Sequence, residues 1–167
     1  DLDGNIHQLI SNKWQLFVNA PPFWIRKCSV GYSYNTTTHN LVVFGGYNLG
    51  GGGFDNTTAV WNAYSKSWRK ITTSPSPSPR DNPAMVYVPS RNRHVLFGGN
   101  NGSILDDVWE FDDHLSVWTK VTIENPQGQV LHRLVYNQVS GRIFSIGGYL
   151  NTYTSYATRV YELIFRS

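Results

Sequence analysis

Apolar runs that end in paired glycines recur along the chain: LVVFGG at 41–46, HVLFGG at 94–99 and IFSIGG at 143–148. Their first glycines, Gly45, Gly98 and Gly147, stand 53 and 49 residues apart, and a period near fifty is the mark of a repeat architecture. Before each pair lies an alternating strand and a polar turn: SVGYSY with NTTTHN, AMVYV with PSRNR, HRLVYN with QVSG. After it comes a Gly/Asn-rich loop, then a strand bearing a large aromatic: AVWNAY with Trp61, DVWEFD with Trp109, RVYELIF with Tyr161. Short turns, SKS and DHLS, lead to a last strand that opens on tryptophan, SWRKIT with Trp68 and VWTKVT with Trp118. Period-two alternation between turn-rich breaks predicts four half-buried antiparallel strands per unit.

Each residue type has a physical reason to be there. A strand that stops sharply in a crowded centre needs glycine for positive φ and for close backbone approach, which predicts structural roles for Gly45, Gly46, Gly98, Gly99, Gly147 and Gly148. One small twisted sheet cannot bury both its faces, so flat side chains at Trp61, Trp68, Trp109, Trp118 and Tyr161 fill the space between neighbouring sheets.

The double glycine, the spaced aromatic and the closing tryptophan resemble the kelch motif. That resemblance implies an all-β fold of β-propeller blades, each of four antiparallel strands. Kelch repeats place six residues between the two aromatics; Trp61 and Trp68 match, whereas Trp109 and Trp118 have eight between them. The lead SPSPSPR before Ala84 resembles the Pro-Arg that opens many such repeats, Pro83 stands where they often carry His, and His132 keeps that His. Closing tryptophans at 14, 68 and 118 mark NKWQLFV as the tail of an earlier blade and put the next closing Trp near 168–172. The expected division is therefore 1–22 as a blade tail, 23–72 and 73–122 as whole repeats, and 123–167 as a repeat lacking its last strand. Propellers close with four to eight blades, so three and a half imply an incomplete ring. Further blades of a longer chain, or a second copy, would complete it.

Composition agrees with this reading. Six Trp, ten Tyr and eight Phe, with 15% charged residues, suit short strands and turns. The net charge of +3 is spread singly, which reads as a solvated surface and not as a nucleic-acid patch. No run of 18 apolar residues exists, so no membrane span is expected. The single cysteine, Cys28, excludes an internal disulfide framework and reads as a small core residue opening a strand. A chain beginning DLDGNIHQLI, without Met or a signal-peptide pattern, reads as a processed product or a piece of something longer.

Strand alternation sorts the loops onto two faces. Short polar hairpins gather on one face, and the other receives the long loops 47–58, 73–83, 100–106, 123–130 and 149–158. Long loops on a rigid scaffold are where binding concentrates. The candidates on that face are Trp24, Arg26, Tyr47, Asn48, Phe54, Arg80, Asp81, Asn82, Asn100, Asn101, Tyr149, Asn151 and Tyr153, with Phe23 and Tyr156 beside them. Tyr, Trp, Asn, Gly and Arg together supply rigid area and adaptable hydrogen bonds. The function expected is a protein-binding module. Two alternatives stand beside it: a sugar-handling propeller resembling carbohydrate oxidases or sialic-acid epimerases, and a structural part of a larger assembly. Convergence of Arg26, Arg80 and Arg133 on one pocket would favour the sugar-acid reading.

No catalytic residue, cofactor or metal is expected. Copper chemistry of the galactose-oxidase kind needs a Tyr–Cys pair that the lone Cys28 does not fit; the sialidase Asp-box and the iron-binding Glu-xxx-Asp-xxx-His of plant specifier proteins do not occur. The five histidines lack metal-ligand spacing. VWEFDDH gathers Glu110, Asp112, Asp113 and His114, read here as a solvated turn, and GGGG at 50–53 is no phosphate loop. Three N-glycosylation triplets begin at Asn35, Asn56 and Asn101, which leaves a secreted and a cytoplasmic location equally open.

Overall fold

A computed structural model describes residues 5–24, 26–124, 127–158 and 160–165, so the outer limits 1 and 167 of the expected division lie outside the described residues. The fold is all-β. A hairpin of β1 (Ile6–Ile10) and β2 (Lys13–Val18) comes first, followed by a 3-10 turn at Pro22–Trp24. Then come β3 (Lys27–Cys28), β4 (Gly31–Asn35), β5 (Asn40–Phe44), β6 (Tyr47–Asn48), β7 (Thr58–Asn62) and β8 (Ser67–Ile71). A second set follows: β9 (Ala84–Val88), β10 (Arg93–Phe97), β11 (Val108–Asp112) and β12 (Val117–Val121). The last comprises β13 (Gln129–Val130), β14 (Arg133–Asn137), β15 (Arg142–Ile146), β16 (Tyr149–Leu150) and β17 (Tyr161–Leu163).

Two antiparallel four-stranded sheets, β4-β5-β7-β8 and β9-β10-β11-β12, are consecutive meanders, and a third sheet runs β14-β15-β17. These are blades of the expected kind, and the described residues do not close a ring. The inner strands β4, β9 and β14 lie side by side, which places three blades around a common axis. Two-residue ladders, β3 with β6 and β13 with β16, tie each blade's lead to the loop after its glycine pair.

The turns follow a shared recipe. Asn35, Asn62, Asp112 and Asn137 each accept two backbone N–H bonds from residues two and three ahead, fixing an Asx turn at a strand end. The residue that reverses the chain then takes positive φ, as at His39, Lys66, Ser116 and Gly141. The glycine pair does a different task. Gly45 (φ 70°) would bring a Cβ within 2.6 Å of the Arg80 carbonyl, and Gly98 (φ 65°) would drive one into the Gln129 carbonyl. Both carbonyls belong to the next blade and accept from Gly46 N and Gly99 N at 2.8 Å. Glycine is needed because one blade's backbone rests directly on the lead of the next.

Among the described residues the two largest parts of the core are seams between blades, and a smaller cluster gathers Trp24, Val43 and Ala59. Trp118 of β12 is 2% exposed. It packs on Phe111 of its own blade (centroids 4.8 Å apart) and on Phe44 of the preceding one (5.2 Å). Its indole N–H donates to Thr58 Oγ1 at 2.9 Å. Ala84, Val95, Phe97, Val108, Leu134, Ile143 and Leu163 form the second seam.

Strand register corrects one motif assignment. Trp61 pairs across from Trp68, and the residue across from Trp118 is Phe111. Phe111 therefore holds the place of Trp61, with six residues before the closing Trp in both blades. Trp109 lies two residues earlier on the same strand face, in register with Tyr161: Trp109 pairs with Leu96 and Tyr161 with Ser145, two residues before Gly98 and Gly147 respectively. Cys28 is half-buried, its thiol 3.9 Å from the Tyr47 carbonyl.

Candidate functional site

The long-loop face begins with the blade leads. Lys27, Arg80 and Gln129 occupy one register, next to residues that pair with the position after the glycine pair. In the first blade Lys27 Nζ lies 2.7 Å from Asp55 and 4.1 Å over the Trp24 ring. In the second, Arg80 meets both oxygens of Asp107, the Gly98 carbonyl and Ser78. Burial raises the carboxyls of Asp55 and Asp107, but the bonds from Lys27 and from Arg80 outweigh it and hold both below their ordinary value. In the third, the wholly buried Gln129 accepts from Ser145, and its Nε2 finds no partner among the described residues.

This corrects two of the expected contact residues. Arg80 is wholly buried and Trp24 is 4% exposed, so neither side chain is presented to a partner. Both pin a loop to its blade: a guanidinium away from water requires an acid and carbonyls around it, and Asp107 and Gly98 supply them. Lys27, Asp55 and Asp107 were not singled out from sequence; the basic residue that stands at this register in the first two blades, Lys27 and Arg80, was their signal.

The remaining expected residues fall into two groups. Tyr47 and Phe54 meet edge to face at 5.7 Å, and Asn48 turns back to accept from Gly50 and Gly51 of its own loop. Arg26 is exposed beside them, its carbonyl accepting from Leu49. The second group spans two blades. Asp81 pairs with Asn100 as an isolated bridge, and Asn100 Nδ2 donates to Asp81 Oδ1 at 3.2 Å. From the third blade's loop come Tyr149, Tyr153 and Tyr156, with Tyr149 4.6 Å from Tyr156 and 5.6 Å from Tyr153 between ring centroids. Tyr153 and Tyr156 are 53% and 65% exposed. Partial burial and the nearby Asp81 charge push the Tyr153 hydroxyl above its ordinary value, and the bond with Tyr156 does the same for Tyr149. Asn101 is exposed, and Asn151 takes φ 52° at the loop's turn, donating its N–H to Gly128 O.

Between the starts of the inner strands lies a cleft of about 240 Å³, bordered by Ser29, Asn82, Pro83 and Arg133. Asn82 (φ 49°) anchors its rim through a 2.7 Å bond to the Ser29 carbonyl. Arg26 does not border that cleft and Arg80 is buried, so the three arginines do not converge.

The opposite face carries a second correction. Glu110, Asp112 and Asp113 of VWEFDDH are buried, not solvated. Asp113 accepts from Asn35, Thr38 and Asn40 of the preceding blade, at 2.6 Å from Thr38 and 2.8 Å from Asn40. Its other neighbour, His94 Nε2, is 3.7 Å away, and His94 Nδ1 is 2.7 Å from Ser33 Oγ. Burial raises this carboxyl, but His94, Thr38 and Asn40 more than reverse that and hold it far below the usual range. The order Ser33–His94–Asp113 names a nucleophile, a base and an acid, yet His94 and Asp113 are sealed from water and serve as a polar rivet through the seam. Among the described residues no group of three or more His, Cys, Asp or Glu side chains could hold a metal ion. Asn35, the first glycosylation position, is fully buried with its amide spent on Asp113, whereas Asn56 and Asn101 are exposed.

Comparison with known proteins agrees with the geometry. A family model described as the KLHDC2/KLHL20/DRC7 Kelch-repeats domain matches residues 27–165. The chain is 27% identical over 99 residues, 58% of its length, to the tRNA wybutosine-synthesizing protein 4 of Aspergillus fumigatus. It is 26% identical over 129 residues, 71% of its length, to the flagellar outer-arm dynein alpha chain of Chlamydomonas reinhardtii. It spans 9% and 3% of those two proteins.

Proposed function

The chain belongs to the kelch-repeat domain family, and from that premise we propose that its long-loop face binds a protein partner by shape and polar–aromatic complementarity, with no bond chemistry. The observation that carries this reading is the cluster of Tyr149, Tyr153 and Tyr156 standing beside Asp81 and Asn100, which offers rigid aromatic area and polar groups across two blades. Trp24 and Arg80 drop out as contacts and support the loops from beneath; Arg26, Tyr47, Asn48, Phe54, Asn82, Asn101 and Asn151 form the surrounding rim. The sugar-acid alternative loses its main support, because Arg26, Arg80 and Arg133 do not share a pocket.

Further blades complete the ring in this reading, from a longer chain or a second copy. Gly147 supports it: among the described residues a Cβ there meets nothing within 4 Å, whereas at Gly45 and Gly98 it meets the following blade's carbonyl.

A photo-crosslinking amino acid placed at Tyr153, and in a separate variant at Tyr64 on the opposite face (76% exposed), tests the binding face in a cell extract. The expected result is discrete protein adducts from position 153 that disappear with Tyr149→Ala. Equal capture from both positions, or none from 153, refutes the loop face as the binding surface.

A further inference from the structure

The lead between the first two blades carries a motif that neither the fold nor the loop face uses. Residues 74–79 read Ser-Pro three times over, SPSPSP, ahead of Arg80. A kinase that requires proline after its target serine meets three candidates here, and their surroundings differ. Ser74 is exposed. Ser78 is committed: its Oγ accepts from Arg80 Nη2 at 2.9 Å, so a phosphoryl group there would compete with Asp107 for a wholly buried guanidinium. Ser76 makes only a long 3.3 Å bond to the carbonyl of its neighbour Pro77, and it borders a pocket. Residues 74–79 lie outside every strand and form no main-chain to main-chain hydrogen bond among the described residues, so the stretch is free to enter a kinase cleft.

The pocket, about 190 Å³, lies between the outer strand β8 and the lead into the second blade. Asn56, Thr57, Lys70, Thr72 and Thr73 line it together with Ser76, and Lys70 is its one charged side chain among the described residues. That lysine is exposed and has no ion pair among the described residues. Hydroxyls, a carboxamide and an ammonium are donors suited to phosphate oxygens. The next repeat shows what is different here. Lys70 stands across from Ala59 as Lys120 stands across from Trp109. Asn56 and Thr57 therefore occupy the places of Asp106 and Asp107. In the second blade the charge of Lys120 helps hold the Asp107 carboxyl down. The first blade keeps the lysine, replaces both acids by neutral donors, and sets a Ser-Pro at the pocket's edge. Both flanking blades have all four strands, so the pocket is independent of where the ring is open.

We propose that Ser76 is a phosphorylation site for a proline-directed kinase and that Lys70, with Asn56 and Thr57, receives its phosphate. A nucleoside triphosphate supplies the phosphoryl group: the Ser76 Oγ–P bond forms as the bridging P–O bond to the diphosphate breaks, and the hydroxyl proton passes to the kinase's base. The product carries about −1.5 to −2 charge at pH 7 and meets the unpaired ammonium in a pocket without a carboxylate. The modified serine then ties the second blade's lead to the outer strand of the first. This inference does not depend on the loop face.

The test uses the folded 167-residue chain, ATP, and a proline-directed kinase that phosphorylates the peptide TTSPSPSPR, residues 72–80, at its middle serine. Mass spectrometry should place phosphate on Ser76, and Ser76→Ala should remove that signal. Phosphorus NMR against pH then reads the seating. A free phosphoserine takes its second ionisation near about 6, and the Lys70 charge should draw it about half to one pH unit lower. Lys70→Gln, a change at an exposed position, should return it to about 6 without unfolding the chain. No phosphate on Ser76 of the folded chain, phosphate on Ser74 or Ser78 alone, or the same titration with lysine and with glutamine at position 70 would overturn the proposal. Failure of the crosslink at Tyr153 leaves these readouts unaffected, so the two proposals fail separately.

Discussion

Replacing Trp118 by alanine removes the side chain that two blades share. The indole is 2% exposed, with ring contacts to Phe44 and Phe111 and an N–H bond to Thr58. Truncating a buried tryptophan costs about 3–5 kcal/mol, and the Thr58 hydroxyl left unpaired adds roughly 1 kcal/mol. For a chain of this size each kcal/mol lowers Tm by about 2–4 °C, so a loss of about 10–20 °C is expected. The same substitution along the repeat provides an internal scale. Trp68 is half-buried, with an N–H bond to the Asn19 carbonyl, and should cost about half as much. Trp14 is 72% exposed and should change stability by about 0.5 kcal/mol or less. Urea titrations of the three variants, followed by tryptophan fluorescence with m-values compared, give the order Trp118 > Trp68 > Trp14. Equal losses at Trp14 and Trp118 would refute the argument that a closing tryptophan is stabilising only where a neighbouring blade walls it in.

Two further outcomes follow from charge and backbone. Burial, reinforced by Arg133, lowers the His132 pKa from 6.5 to about 4. The unfolded chain therefore takes up that proton first, and stability should fall from about pH 6.5 down to about pH 4, by on the order of 3 kcal/mol for the full shift. Asp113, also shifted down, contributes above its unfolded value near 4 and loses that contribution as the pH falls further. Urea midpoints against pH check this, and a His132→Gln variant that keeps the full slope between pH 6.5 and 4 contradicts it. Gly98→Ala puts a methyl into the Gln129 carbonyl at φ 65°, whereas Gly147→Ala at φ 73° meets only backbone strain. Thermal melts should show the first costing at least about 2 kcal/mol more than the second, and equal losses would show that blade-to-blade contact is not what the glycine pair serves.

What could be read in the chain and what could not divide along sequence distance. The glycine pairs and closing tryptophans announce themselves because each meets a local demand: a sharp stop, or a large flat group at a strand's start. The Tyr149 and Tyr153 cluster was legible for the same reason, since one loop carries its rings. Trp109 misled because Phe111, two residues on, shares its strand face, so alternation fits either; leaving six residues between it and Trp118 selects Phe111. Arg80 looked like a surface residue in a proline-rich lead because its acid, Asp107, is 27 residues away. Asp113 read as solvated because its partners Asn35 and Asn40 lie 78 and 73 residues upstream, in another blade. Burial of a charge depends on the seam, and the seam is assembled from two repeats that no local pattern links.

The buried amide of Asn35 sets an order of events. A glycosyltransferase needs that nitrogen in an extended, accessible loop, and the finished seam keeps it bonded to Asp113 beneath the neighbouring blade. Sugar attached before the first two blades meet would replace one of the two Asn35 amide hydrogens and wedge the interface apart by its bulk, while sugar offered afterwards finds no substrate. In a compartment that performs this modification, occupancy at Asn35 would thus act as a clock for blade docking: the faster the two sheets close on each other, the emptier that position stays, whatever the occupancy at the exposed Asn56 and Asn101.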